Sequence, residues 1–191
     1  MREKDERKYE AICNASIDLI NEAGFAHASM SKIAKRAGVA AATIYIYFEN
    51  KEDLLNKLYL RVHRSMSVKI ISTELDSSSI ENAMKTIWMR LYKVLIGDKR
   101  SFLFIEQFIH SPLINEIAQQ EAWGYFDVID KIIEMGVTQK IVKEGIDNEL
   151  LCSFTFGSVI DLVKKHHAGR FIMTDSEVTL MLDMAWGSMK K

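Results

Sequence analysis

The stretch SMSKIAKRAGVAAATIYIYF, from Ser29 to Phe48, constrains the fold of this chain more than any other. It predicts two short helices broken by one glycine. Ile33, Ala34 and Ala37 give the first helix an apolar face. Gly38 supplies the left-handed backbone that ends a helix without a Cβ penalty. Val39 plugs the corner. Ile44 and Phe48, four residues apart, share the inward face of the second helix. This is the pattern of a helix-turn-helix, in which the second helix enters the DNA major groove.

The flanks narrow the reading. Upstream, ICNASIDLINEAGF (12–25) ends a helix in Gly24-Phe25. Downstream, ENKEDLL (49–55) carries Lys51-Glu52 ahead of Leu54. The ordered set is a helix closing on Gly-Phe, then Ile-Ala, Ala-Gly-Val, an aromatic pair ending in Phe, and Lys-Glu-x-Leu. It resembles the TetR family of bacterial transcriptional regulators over about the first quarter of the chain. The resemblance implies an all-α fold with an N-terminal three-helix DNA-binding domain (1–50) and a C-terminal ligand-binding and dimerisation domain (51–191). It implies double-stranded operator DNA as a partner, a homodimer and a small hydrophobic effector.

Three departures from the family pattern stand out. Ala40 occupies a position where Ser usually caps the recognition helix, Ala41 one that is often basic or polar, and Ile46 one where a larger polar or basic side chain is common. No charge occurs from Ala40 to Phe48. Base-edge contacts therefore fall to Ala40, Ala41, Thr43 and Ile46, and methyl-bearing side chains of this kind suit contact with thymine. Phosphate contacts fall to Thr43, Tyr45, Tyr47 and Lys51, with Ser29 and Ser31 adding to them. Ser29 is also the expected cap of the first reader helix. The plainer alternatives are that Tyr45 and Tyr47 are core residues, that Lys51 is only a charged residue at a helix start, and that Ile46 is simply solvent-exposed.

A single proline and nine glycines in 191 residues suit long helices better than many turns. About nine helices are expected, with no strand pattern and no internal repeat. The breaks are a loop at 76–79, Gly97, Ser111-Pro112 as a cap followed by proline at a helix start, Asp147, and Thr174-Asp175. Residues 1–72 carry a net charge of +3 and the remainder −4, the sign asymmetry expected of a DNA-binding N-terminal end. No apolar run reaches membrane-spanning length, and the charged start (1–8) lacks a signal-peptide core. Cys13 and Cys152 read as free thiols rather than a disulfide. Together these features give the expectation of a cytoplasmic protein with no membrane partner.

Beyond the reader, aromatic side chains recur at helical spacing: Tyr59; Trp88 and Tyr92; Phe104 and Phe108; Trp123 and Phe126; Phe154. Such rings form either the ordinary core of a helical domain or the lining of a pocket for a flat hydrophobic ligand. The family resemblance favours some pocket among them. Leu151, Gly157, Ser158 and Leu162, with Val178, Met181, Leu182 and Ala185, are the expected dimer-forming positions of the last two helices. No Glu-x-x-His pair, His-Glu-x-x-His, Cys-x-x-Cys, glycine-rich phosphate loop or nucleophile elbow is present, so no metal, cofactor or catalytic residue is expected. The competing readings are a helical small-molecule carrier and a helical enzyme without a DNA role. The ordered reader motifs oppose both.

Overall fold

The computed structural model describes residues 2–71 and 79–191, with side chains from Asp5 onward. It contains ten α-helices and one 3-10 turn, with no named strand among the described residues. The helices are α1 (Arg2–Ala23), α2 (Met30–Arg36), α3 (Ala41–Tyr47), α4 (Lys51–Ile70), α5 (Ile80–Gly97), α6 (Lys99–Phe108), α7 (Glu116–Gly124), α8 (Asp127–Thr138), α9 (Asn148–His167) and α10 (Asp175–Met189). Phe25–His27 form the 3-10 turn.

Local sequence explains several of the helix starts. Ser29 caps α2 by accepting from the Lys32 amide, and Ser79 caps α5 by accepting from the Asn82 amide. Asp147 accepts from the amides of Glu149 and Leu150 at the start of α9. Thr174 and Glu177 form a reciprocal capping box on α10. Such caps satisfy amides that have no partner within the helix. The part of the expected loop at 76–78, and the extension of α4 to Ser72, lie outside the described residues.

One expected helix divides in two. Pro112 does not open a helix. Ser111 instead supports a turn, its Oγ accepting from the Leu113 amide at 3.2 Å. Asn115 opens α7 by accepting from the Ala118 amide at 2.8 Å, and the Asn115 amide itself donates to Asn56 Oδ1 at 2.9 Å. This tertiary bond to α4 selects the later of two nearby start signals. Gly124 then ends α7, and α8 begins after Phe126.

By contacts the chain forms two compact units. One comprises residues 1–63 and 100–122, the other residues 64–99 and 123–191, so this division does not fall at residue 50. In the first unit, Ile12, Ile20, Ile33, Ile44, Phe48, Leu54, Leu55 and Leu58 are fully buried. α1 packs on α2, and α2 on α3. α6 is tied to α1 by Arg100, which donates to Asp18, to Asn14 Oδ1 at 3.1 Å and to the Asn14 carbonyl. Asn21 returns a bond to the Arg100 carbonyl at 2.9 Å.

In the second unit α5 is the central helix, lying against α8, α9 and α10. Met84, Ile87, Trp88, Val159, Val163 and Met189 are buried there. Gly136 lets the following loop close on α8, since a Cβ at this position would stand 2.6 Å from Val142 Cγ2. The faces of α9 and α10 differ from expectation. Leu151, Val178, Met181, Leu182 and Ala185 are buried within the protomer, whereas Leu150, Phe154, Leu180 and Met184 face solvent.

Candidate nucleic-acid interface

The reader is built from α2, the turn at Gly38 and α3. Gly38 has φ +68°, and nothing lies within 4 Å of a Cβ built there, so the backbone angle and not crowding requires glycine. The Val39 amide donates to the Ala34 carbonyl at 3.0 Å and the Gly38 amide to the Lys35 carbonyl. This closes α2 as a Schellman-type end. Ile33, Ala34, Ile44 and Phe48 face the core, which fixes the opposite face of α3 toward solvent.

That outer face carries most of the expected reading residues. Ser29, Ser31, Ala40, Ala41, Tyr45 and Ile46 are exposed, Ile46 by 76%, and Thr43 is half-buried. Tyr45 is therefore a surface residue rather than a core one. Tyr47 is braced. Its ring lies 5.7 Å from that of Tyr9, and its hydroxyl donates to the Asp5 carbonyl at 3.2 Å. Lys51 is half-buried, with its ammonium 4.0 Å from the centre of the Phe25 ring and 3.4 Å from the Ala26 carbonyl. Ser29 and Ser31 share a bond between their hydroxyls at 3.2 Å.

Two basic residues that the sequence left unassigned join this face. Arg7 and Lys8 of α1 line an open cleft together with Ala11, Gly38, Ala40 and Thr43. They are seven or eight residues into the chain and more than 30 from α3 in sequence, so only the fold brings them together. Their signal was the charged run at the start of α1.

α3 starts at Ala40 with extended backbone (φ −64°, ψ 146°) and no side-chain cap bond. Ala40→Ser places an acceptor where cap residues place theirs. It is expected to stabilise the fold by about 0.5–1 kcal/mol, a rise of roughly 1–4 °C in melting temperature for a chain of this size. Thermal unfolding by circular dichroism checks this, and an unchanged midpoint would show that the cap geometry is unfavourable.

The aromatic candidates divide between the two units. Tyr59, Phe104 and Phe108 belong to the first, and all three are buried, with the Phe104 and Phe108 rings 5.1 Å apart. Trp88, Tyr92, Trp123, Phe126 and Phe154 belong to the second. Trp88 is fully buried with its ring 6.1 Å from Phe156, whereas Trp123 and Phe154 are exposed and Tyr92 and Phe126 half-buried. The Tyr59 hydroxyl and the Trp88 Nε1 are buried without a hydrogen-bond partner. An open cleft on α5 is lined by Asn82, Lys85, Thr86, Met89, Arg90 and Lys93, and none of the aromatic candidates lines it. Among the described residues no cluster of metal-binding side chains occurs, and no helix is long and apolar enough to cross a membrane.

Comparison with known proteins accounts for this arrangement. Residues 12–58 match the family model described as bacterial regulatory proteins, tetR family, and residues 79–190 match the tetracyclin repressor-like, C-terminal domain. The chain belongs to the TetR family. It is 29% identical over 180 residues to the fatty acid metabolism regulator protein of Bacillus subtilis, covering 91% of this chain and 88% of that one. A TetR family transcription regulator from Marinobacter aquaeolei superposes with a TM-score of 0.92 at 26% identity, over the whole of both chains. A Bacillus subtilis regulator, FadR, solved in complex with stearoyl-CoA, shares the fold with a TM-score of 0.77 at 24% identity, over 95% of this chain and 99% of that one. As a TetR-family protein the chain is a DNA-binding transcriptional regulator, not an enzyme.

Proposed function

We propose that the protein is a ligand-responsive repressor that holds a palindromic operator as a homodimer and is released from it by a hydrophobic small molecule. The solvent-facing side of α3, set beside Arg7 and Lys8, is the observation that carries the DNA half of this reading. Residues 1–50 serve as the reading domain, and residues 51–191 as the effector and dimerisation domain. Ser29, Ser31, Ala40, Ala41, Thr43, Tyr45, Ile46, Tyr47 and Lys51 form the DNA-contacting set.

For the effector, a long-chain acyl thioester of coenzyme A is the leading candidate. Support comes from the similarity to a fatty acid metabolism regulator over most of both chains, and from the stearoyl-CoA held by a regulator of the same fold. Tyr59, Trp88, Tyr92, Phe104, Phe108, Trp123 and Phe126 remain the effector candidates. Phe154 shares an exposed face with Leu150 and is better placed for a subunit contact. An effector releases DNA only if it favours the non-binding state, and a hundredfold loss of operator affinity requires about 2.7 kcal/mol of coupling.

The test begins with selection of an operator from random duplexes by the whole protein. Fluorescence anisotropy then follows release by octanoyl-, palmitoyl- and stearoyl-CoA, by free coenzyme A and by flat cationic dyes. Release by the long acyl thioesters alone supports the reading. Release by the dyes alone replaces the acyl thioester with a flat ligand. Operator binding that none of these compounds alters overturns the proposed effector class, and failure to select any duplex overturns the repressor.

A further inference from the structure

We infer that α3 reads its operator through the 5-methyl groups of thymine, with Ile46 as the principal reading side chain, rather than through bidentate hydrogen bonds to bases. This rests on the DNA-binding reading above and specifies what that surface selects. In the major groove, guanine is read by Arg or Lys on O6 and N7, and adenine by Asn or Gln on N6 and N7. α3 holds none of these residue types.

The neighbouring polar groups do not make good the lack. The Tyr47 hydroxyl is spent on the Asp5 carbonyl, and the Lys51 ammonium is turned back onto Phe25 and Ala26. Arg7 and Lys8 stand beside the N-terminal end of α3 on another helix, where cations suit phosphates and fix register without reading sequence. Thr43 and Tyr45 bring single hydroxyls, each able to donate and accept and so tolerant of several bases.

What α3 does present is apolar. Ile46 is 76% exposed and Tyr45 58%, and the methyl groups of Ala40 and Ala41 are exposed at the other, N-terminal end of the helix. Pressed against a G·C edge, this face strips water from guanine O6 and N7 and from cytosine N4 and gives nothing back, which is costly. Pressed against thymine, it covers the 5-methyl group, and apolar surface on both sides leaves water. The surface thus selects thymine by reward and G·C by exclusion.

The experiment uses the whole protein and the operator selected from random duplexes. Each thymine is replaced singly by deoxyuridine, which removes the methyl group and keeps the pairing. Affinity is read by anisotropy at fixed salt. At one or two positions per half-site the replacement should weaken binding about fourfold, the worth of one buried methyl-sized group. In Ile46→Ala, whose substituted side chain is exposed and not part of the core, the same replacement should cost nothing further. Tight operator binding that no deoxyuridine weakens overturns methyl reading and leaves the DNA reading intact. A methyl effect that persists unchanged in Ile46→Ala overturns the assignment of Ile46. Failure to bind any duplex overturns both readings together.

Discussion

Leu180→Asp combined with Met184→Asp is expected to leave the protein monomeric at micromolar concentration and to weaken operator binding at least a hundredfold. Leu180 and Met184 on α10 are 58% and 68% exposed, and Leu150 and Phe154 on α9 expose 62% and 65%. α9 and α10 pack on each other. Ser153, Ser158 and Gly187 are exposed on the same two helices, and side chains this small permit close approach of a second helix pair. A two-fold axis uses such a surface twice, and each large apolar side chain moved out of water contributes about 1.5–3 kcal/mol. A carboxylate in that contact would be buried without a partner, or would hold the subunits apart.

The DNA effect follows from linkage of two readers. One subunit bound to its half-site holds the other at high local concentration over the second, and joining two sites in this way raises affinity by roughly 10²–10⁴. Both altered side chains face solvent within the protomer, so the fold should persist, with the circular dichroism signal unchanged. Light scattering and operator anisotropy give the answer. A variant still dimeric would place the subunit contact on another surface.

The sequence made the reader legible because its determinants are local. Gly38, Ser29 and the inward pair Ile44 and Phe48 act within a few residues of the backbone they shape, and the structure keeps each of them in its expected place. Thr174 and Asp147 are legible for the same reason. Where two local signals compete, sequence alone misleads. Ser111-Pro112 and Asn115 both resemble a helix start, and a bond from the Asn115 amide to distant Asn56 decides between them.

The faces of α9 and α10 were less legible. Apolar residues surround both helices, so helical periodicity does not say whether Leu151 or Leu150 points to the protomer's own core. Packing against α5 turns Leu151 inward and leaves Leu150 outside. The aromatic residues pose the same difficulty, since Trp88 is wholly buried and Trp123 exposed, although each has an aromatic neighbour at helical spacing, Tyr92 four residues on and Phe126 three residues on. Arg7 and Lys8 reach the reader only through the packing of α1.

Acid should weaken the folded state through His63. Its imidazole is buried on α4, 5% exposed, with its ring 4.4 Å from that of Tyr59. Burial disfavours the charged ring and pushes its pKa down to about 4, against an unfolded value near 6.5. Between these values the unfolded chain takes up a proton that the folded chain refuses. The contribution is therefore complete above about pH 6.5, declines as the pH falls, and is exhausted near pH 4. At about 1.4 kcal/mol per pKa unit, the loss between pH 7.5 and 4.5 is about 2–3 kcal/mol, roughly a thirty- to hundred-and-fiftyfold change in the folding equilibrium. Carboxylates titrate in part of the same range, so the measurement is a difference. Urea unfolding of the wild type and of His63→Leu at both pH values isolates the imidazole, because the carboxylates are common to the two proteins. The wild type should lose about 2–3 kcal/mol more than the variant on acidification. Equal losses in the two proteins would mean that the imidazole reaches water and protonates in the folded state as readily as in the unfolded chain.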